Sequence, residues 1–336
     1  SALGGITNSL IEAANLAYKN DEKYLDLTEH IEKKHFAAIE GLLSHENQTG
    51  CKAAVAKKIN ELKEVLHSIA LLNDLSDKSM ARIVSLGELL SSFIISKAME
   101  QEGLKVQYCD SRELIKTDDN YLNAAVDFNQ SYKNINEAIS QSVAEVFLLP
   151  GFVASNSKNQ TTTLGRGGSD FSAAMAANAV SASILEIWTD VSGMYTANPR
   201  LVKQAYPIPD ISYQEAMELS HFGAKVLYPP TIQPVLDKKI PLVIKNTLSP
   251  EDSGTLISDK PMGNGSVVKG ISHIENISLL TLEGNGMVGV PGISKRLFGA
   301  LAANQINIKF ITQASSEHSI CFAIDESESK LAKTAV

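Results

Sequence analysis

The spacing of the apolar residues changes near Gly103, and this change constrains the fold more than any other feature of the sequence. Upstream, apolar side chains recur every three or four residues, for example at Val55, Ile59 and Leu62, which is the spacing of an amphipathic helix. Downstream, short apolar segments alternate with helical stretches, as in a mainly parallel sheet. We therefore expect an α/β fold that begins with a helical region interrupted at Gly50 and Ser76.

The downstream region predicts several strands and one helix with well-marked ends. The helix begins with a capping box formed by Ser212 and Glu215, covers residues 213–222 and ends at Gly223. The predicted strands are the short apolar segments 105–109, 146–153, 184–188 and 242–245.

A turn-rich stretch, 249–266, separates two regions with different patterns. Beyond it the sequence predicts strand 277–283, a glycine-rich turn 284–292, helix 293–304, strands 306–311 and 319–324, and a helix that starts at Glu326. This order lacks only the last strand of a ferredoxin-like βαββαβ unit. We therefore expect two domains, at 1–258 and 266–336.

Composition excludes several classes of protein. The 336 residues include 30 Lys and Arg against 38 Asp and Glu, a net charge of −8, so a nucleic-acid or anionic-membrane binder is not expected. No apolar run approaches the roughly 20 residues that span a bilayer. Cys51, Cys109 and Cys321 are far apart and lack the spacing of a zinc site or a disulfide framework. We expect a cytoplasmic protein that carries no metal ligated by its own side chains.

The segment Leu164-Gly-Arg-Gly-Gly-Ser-Asp170, which precedes an alanine-rich helical stretch, is the strongest local motif. Glycines let backbone N–H groups approach an anion, and a helix N-terminus adds partial positive charge. Arg166 adds a guanidinium that can hold a carboxylate or a phosphate. The segment predicts an anion site, and a tight turn capped by Ser169 or Asp170 is the alternative.

Three further segments carry polar residues at positions where open α/β sheets bind ligands. Thr189 and Asp190 follow a predicted strand, and ligands lie beyond the carboxyl ends of such strands. Arg200 follows in Asn-Pro-Arg, and Lys225 lies just beyond a predicted helix end. Taken singly, Arg200 is equally well explained as a surface cation, and Lys225 and Glu88 are better explained as ordinary surface charges.

In combination, the motifs resemble those of the aspartate kinases of the amino-acid-kinase family, particularly the kinase part of bifunctional aspartokinase/homoserine dehydrogenases. The ordered segments are Ser1-Ala-Leu-Gly-Gly-Ile-Thr-Asn, Gly-Glu88, Gly-Arg166-Gly-Gly-Ser-Asp170, Trp-Thr189-Asp190-Val-x-Gly, Asn-Pro-Arg200, Phe-Gly-Ala-Lys225-Val and Ile311-Thr-Gln-Ala-Ser-Ser-Glu-His-Ser-Ile320. The resemblance implies an αβα sandwich with a mainly parallel sheet, followed by a partial ferredoxin-like ACT regulatory unit.

The resemblance also implies an activity, ATP- and Mg²⁺-dependent phosphorylation of the β-carboxylate of L-aspartate, the first step towards lysine, methionine and threonine. It implies that Asp170 and Lys225 act in catalysis. The aspartate pocket would comprise Ser1, Thr7, Glu88, Arg166, Gly167, Gly168 and Ser169. The nucleotide site would comprise Thr189, Asp190, Tyr195, Arg200 and Lys225.

By the same resemblance, threonine would bind near Asn307, Ile308 and Gln313 in the ACT unit, and a homodimer or higher oligomer is expected. The family's opening strand and its Lys-Phe-Gly-Gly-Thr-Ser loop precede the position at which this sequence begins, so turnover by the chain as written is expected to be poor. Two alternatives stay open: a kinase for another acidic amino acid, and a catalytically incompetent fragment that binds an amino acid.

Overall fold

The structure is a computed structural model that describes residues 1–221, 227–262, 268–313 and 318–336. It divides into two compact units, Ser1–Ile271 and Ser272–Val336. The division lies a few residues beyond the turn-rich stretch that marks a boundary in the sequence.

The first unit begins with four helices, α1 (Ile6–Tyr18), α2 (Lys23–Leu42), α3 (His45–Leu72) and α4 (Asp77–Gln101). Their apolar stripes form one buried cluster. The predicted interruption at Gly50 is wrong, because α3 runs through this residue. The helix boundary lies instead at Leu43 and Ser44, between α2 and α3. A glycine in a helix costs only about 1 kcal/mol relative to alanine, and the buried stripe of α3 offsets that cost.

Helix α4 contains the longest run of buried residues in this helical region. It is long and apolar enough to cross a membrane by length and composition, but 72% of its most apolar window is buried inside the protein. That burial is typical of a core helix. Gly87 lets the chain at Ala2 approach closely, because a Cβ at Gly87 would lie 2.8 Å from the Cβ of Ala2.

The next part of the chain contains two small sheets and three helices. Its elements are β1 (Val106–Tyr108), α5 (Ser111–Leu114), β2 (Lys116–Thr117), α6 (Phe128–Ser140), β3 (Val146–Leu148), β4 (Val153–Asn156), β5 (Thr161–Thr163) and α7 (Gly168–Ala179). Strand β1 pairs with β3 in parallel, and β4 lies between β2 (parallel) and β5 (antiparallel). The predicted single strand 146–153 is therefore two strands, because Pro150 has no N–H to donate and Phe152 has a positive φ of 70°.

A four-stranded sheet completes the first unit. Its elements are β6 (Leu185–Thr189), β7 (Asp210–Ser212), α8 (Tyr213–His221), α9 (Ile232–Asp237), β8 (Leu242–Asn246) and β9 (Thr255–Ser258), in the strand order β6-β8-β9-β7. Only β8 and β9 are antiparallel in this sheet. The capping box is present, because Glu215 Oε2 accepts from the N–H of Ser212 at 2.7 Å. The expected α/β fold with mainly parallel pairing is confirmed.

The second unit has the expected βαββα order. Its elements are β10 (Ile277–Glu283), α10 (Ile293–Ala303), β11 (Phe310–Gln313), β12 (Ser319–Asp325) and α11 (Ser329–Ala335). The antiparallel sheet has the order β10-β12-β11. Leu297, Leu301 and Phe322 belong to its buried core. The second predicted strand of this unit, 306–311, starts later than expected, at Phe310.

Candidate active site

The glycine-rich segment 165–168 leads into helix α7 and adopts backbone conformations that glycine favours. Gly165 and Gly167 have φ values of 69° and 70°, in the left-handed region where other residues are strained. Gly167 is the N-cap of α7, and Asp170 lies in the first turn. The exposed Arg166 forms no ion pair with any residue that the structure describes. The predicted glycine turn is therefore present at a helix N-terminus, with Gly167 rather than Ser169 or Asp170 at the N-cap. Anion binding at this turn stays a prediction.

Close contacts hold this segment from both sides. A Cβ at Gly167 would lie 2.4 Å from the Cβ of Tyr228 and 2.6 Å from its ring atoms. A Cβ at Gly168 would lie 3.0 Å from the ring of Phe152, and a Cβ at Gly151 would lie 2.8 Å from the Cα of Ser169. The backbone of the segment is therefore packed to contact, and its position depends on two aromatic side chains.

Glu88 is a buried carboxylate in the middle of α4. Glu88 is 5% exposed, and its Oε2 has no hydrogen-bond partner among the described residues. Burial raises the pKa of Glu88, although its own N–H, the α-amino group of Ser1 and the N–H of Ala2 act in the opposite direction. A buried carboxylate oxygen without a partner is costly, and it is suited to receive a cationic ligand.

The start of the chain packs on α4, the helix that carries Glu88. The hydroxyl of Ser91 donates to the carbonyl of Ser1 at 2.6 Å, which fixes this part of the chain on α4. Burial also raises the pKa of the half-buried Asp170, and the α-amino group of Ser1 lowers it, as it does for Glu88. Thr7 occupies the first turn of α1 and is half-buried.

The candidate nucleotide residues lie at the carboxyl end of β6 and on the loop that follows. Thr189 donates a 3.3 Å hydrogen bond to the exposed carboxylate of Asp190. Tyr195 forms an isolated bridge with Pro207. The N–H of the exposed Arg200 donates to the side chain of Asn198 at 3.0 Å. Lys225 lies outside the described residues.

Sequence reasoning missed three residues that hold the glycine-rich segment. Ser172 accepts from the N–H of Phe152 at 3.0 Å and donates to the carbonyl of Gly168 at 2.7 Å. Phe152 and Tyr228 supply the flanking rings. The Pro150-Gly151 pair is a turn signal that could have marked the position of Phe152, whereas no local pattern marks Tyr228.

The second unit contains a separate pocket of about 320 Å³. It lies at the N-terminus of α10 and is lined by residues 287, 289–294, 313 and 320. Gln313 therefore lines the pocket. Ile308 packs against the buried core of the unit, and Asn307 is exposed.

Comparisons with known proteins match almost the whole chain. The model described as the amino acid kinase family matches residues 1–246, and an ACT domain model matches residues 280–336. The bifunctional aspartokinase/homoserine dehydrogenase of Haemophilus influenzae is 38% identical over 339 residues, which cover 100% of this chain and 41% of that protein. The chain thus spans about two fifths of that bifunctional relative.

Two Escherichia coli comparisons cover more of the related protein. Lysine-sensitive aspartokinase 3 is 32% identical over 335 residues, which cover 97% of this chain and 70% of that protein. The crystal structure of aspartokinase III in complex with aspartate and ADP superposes with a TM-score of 0.82 at 31% identity, over 97% of this chain and 71% of that one.

Proposed function

Because this chain belongs to the aspartokinases of the amino acid kinase family, we propose that it transfers the γ-phosphoryl group of ATP to the β-carboxylate of L-aspartate. The product is 4-phospho-L-aspartate, and the reaction is the first step towards lysine, methionine and threonine. The kinase domain is residues 1–258 in this proposal, and the regulatory ACT unit is residues 266–336.

The buried carboxylate oxygen of Glu88, which has no hydrogen-bond partner in the part of the chain that the structure describes, is the observation that carries the proposal. An α-ammonium group at this position would pair with the carboxylate and remove the cost of leaving it unpaired. Arg166, exposed and without an ion pair among the described residues, is the complementary group for a substrate carboxylate. The two residues together recognise a small zwitterion with an extra acidic group. Ser1, Thr7 and the N–H groups of the glycine-rich segment complete the pocket.

The reaction does not require a general base. An aspartate side chain has a pKa of about 4 in water and is ionised at neutral pH, so its carboxylate oxygen can attack directly. The enzyme must then position the two substrates and neutralise the charge on the transferring phosphoryl group. Lys225 supplies positive charge to the phosphates in this proposal, and Asp170 orients the neighbouring cations.

Thr189, Asp190, Tyr195 and Arg200 bind the nucleotide in this proposal. The exposed cation of Arg200 and the free surface around Asp190 fit a phosphate chain with its divalent ion. Mg²⁺ neutralises phosphate charge when it is bound, and it is held mainly by the nucleotide and water. Among the described residues, no group of three or more His, Cys, Asp or Glu side chains could hold a metal ion.

We also propose that an amino acid, threonine in the first instance, binds the ACT unit near Asn307, Ile308 and Gln313. The pocket beside Gln313 supports this placement. The edge strand β11 exposes about half of Phe310 and Ile311, which fits pairing of ACT units in a homodimer or higher oligomer. Three free cysteines fit a reducing, cytoplasmic location.

The test is to incubate the chain with MgATP and either L-aspartate or L-glutamate and to trap the acyl phosphate with hydroxylamine. Because turnover by this chain is expected to be poor, a small yield of aspartyl hydroxamate is expected with aspartate, and no glutamyl hydroxamate is expected with glutamate. Binding of L-aspartate is measured in parallel by calorimetry, because binding does not depend on turnover. Glu88→Gln is expected to reduce both signals strongly, and the matched surface variant Glu12→Gln is expected to retain them.

Three other results would each contradict part of this proposal. Glutamyl hydroxamate in place of the aspartyl product would indicate a kinase for another acidic amino acid. Threonine binding without any aspartate or nucleotide binding would indicate a regulatory fragment that only senses an amino acid. Full aspartate binding by the Glu88→Gln variant would remove the assigned role of that carboxylate.

A further inference from the structure

The loop between Met194 and Ile208 carries two of the proposed nucleotide residues, Tyr195 and Arg200. Its ends come together, because the N–H of Ile208 donates to the carbonyl of Met194 at 2.7 Å. Two residues further into the loop on each side, the N–H of Thr196 donates to the carbonyl of Tyr206 at 3.0 Å. The loop therefore has a narrow neck, and the geometry of this neck determines where Tyr195 and Arg200 lie.

A residue distant in sequence closes this neck. Thr255, at the start of β9, is fully buried, and its Oγ1 accepts from the N–H of Met194 at 2.8 Å. The same hydroxyl donates to the carbonyl of Ile208 at 2.6 Å. Its proton and one lone pair are thus used on opposite arms of the loop. Gly193 makes the approach possible, since its φ is 121° and a Cβ there would lie 2.3 Å from this oxygen.

A second anchor holds the start of the same loop. Ser192 donates to the carboxylate of Asp252 at 2.5 Å and accepts from the side chain of Asn246 at 3.0 Å. The N–H of Thr247 donates to the carbonyl of Thr189 at 2.8 Å. The segment between β8 and β9 therefore fixes the path of the chain from the end of β6 to the neck of the loop.

We propose that Thr255 is a positioning residue for nucleotide binding, which acts by fixing the neck of the loop 194–208 that carries Tyr195 and Arg200. This inference rests on the proposed nucleotide site. Thr255 itself does not touch the nucleotide. Loss of its hydroxyl leaves a buried N–H and a buried carbonyl without a partner, so the loop samples other conformations and the nucleotide residues are no longer held in place.

The test compares Thr255→Val, which keeps the shape and removes the hydroxyl, with Thr255→Ser, which keeps the hydroxyl. Calorimetric titration of the full chain with MgADP and, separately, with L-aspartate gives the two dissociation constants. Thr255→Val is expected to raise the Kd for MgADP about tenfold and to leave the Kd for L-aspartate unchanged. Thr255→Ser is expected to restore the MgADP Kd to within about twofold of the original value.

Amide hydrogen exchange provides a second readout. Peptides that cover 194–208 are expected to exchange faster in Thr255→Val, while peptides from α4 keep their original rate. Ser192→Ala keeps Thr255 and removes the other anchor, so it serves if Thr255→Val does not fold. It is expected to raise the Kd for MgADP about threefold without affecting L-aspartate.

The inference is overturned if Thr255→Val binds MgADP as tightly as the unsubstituted chain. If that variant does not fold, unchanged MgADP binding by Ser192→Ala overturns it. Equal weakening of MgADP and L-aspartate overturns it as well, because it indicates a general structural defect. Failure of the unsubstituted chain to bind MgADP would contradict the proposed function itself, so the two failures are distinguishable.

Discussion

The two halves of the proposed site are built differently. On the aspartate side, Glu88 is buried in a core helix, and the backbone at Gly167 and Gly168 is packed against aromatic side chains. On the nucleotide side, Asp190 and Arg200 are exposed, and Arg200 lies on a long loop. One half is thus held by burial and close packing, and the other half is held by hydrogen bonds at the base of its loop.

The two halves of the site therefore differ in their effect on the stability of the fold. Burying a carboxylate without a partner reduces the stability of the fold, so the aspartate side exchanges stability for a specific binding group. The nucleotide side carries its charges in solvent, where single ion pairs contribute little to stability. We therefore expect substitutions on the aspartate side to change stability and binding together, and substitutions of the exposed residues on the nucleotide side to change binding alone.

Gly167→Ala is expected to have the largest effect. The added Cβ would overlap with Tyr228, and the φ of 70° is strained for alanine. The glycine-rich segment must then move away from the carboxylate site, and displacements of this kind can reduce binding or turnover about 100-fold or more. The Kd for L-aspartate, measured by calorimetry, tests this expectation.

Gly50→Ala is the matched control for this substitution. No atom lies within 4 Å of the position that a Cβ would take at Gly50, which is on the exposed side of α3. Stability should rise by about 0.5–1 kcal/mol there, with no change in either Kd. Normal L-aspartate binding by Gly167→Ala would show that close packing does not determine the aspartate side.

Glu88→Gln is expected to have the next largest effect. The amide cannot form an ion pair with an α-ammonium group, and the loss of one charged hydrogen bond should weaken L-aspartate binding about 50-fold. The Kd for MgADP should not change, because Glu88 lies in the other half of the site. Glu12→Gln, on the exposed surface of α1, controls for the change in net charge. Weakening of both ligands together would contradict the division into two halves.

Arg200→Ala is expected to have a smaller effect, on nucleotide binding alone. An exposed cation contributes up to about 1 kcal/mol to a contact with a phosphate, so the Kd for MgADP should rise about fivefold, and less in high salt because the interaction is screened. The melting temperature should not change. The neighbouring exposed Lys203 provides the control, since Lys203→Ala should leave the Kd unchanged. A fall in melting temperature for Arg200→Ala would refute the expected separation of binding from stability.

The sequence predicted the elements of both halves, but it predicted the contacts of neither. Local patterns were sufficient for the α7 N-terminus and for the strand that ends at Thr189, because glycines, capping residues and apolar alternation act over a few residues. The roles of Tyr228 and Thr255 depend on contacts with residues about 60 positions away, and no periodicity reveals such contacts.

The helical region illustrates the same limit in a different way. Gly50 is a breaker by local propensity, yet α3 continues through it because Val55, Ile59 and Leu62 are buried against neighbouring helices. Tertiary packing overrides a propensity of about 1 kcal/mol. Glu88 is the opposite case: an acidic residue in a helix is usually exposed, and only the packed structure shows that this one is buried.

The pH dependence of stability is the smallest expected effect, and it is specific to the aspartate side. Because burial raises the pKa of Glu88, the folded state binds more protons at this carboxyl than the unfolded state. Its contribution to stability is therefore fully present below the unfolded pKa and is lost as pH rises through the higher, folded pKa. Asp170 has a raised pKa for the same reason and acts in the same direction.

His35 acts in the opposite direction, since burial lowers its pKa and stability falls when acid protonates the unfolded chain. The difference in unfolding free energy between Glu88→Gln and the unsubstituted chain cancels the contributions of His35 and Asp170. This difference should grow in favour of the variant as pH rises through the raised pKa of Glu88. Urea unfolding at several pH values measures it. A difference that does not vary with pH would mean that the Glu88 carboxylate is as well solvated as Asp190, and the contrast between the two halves would no longer hold.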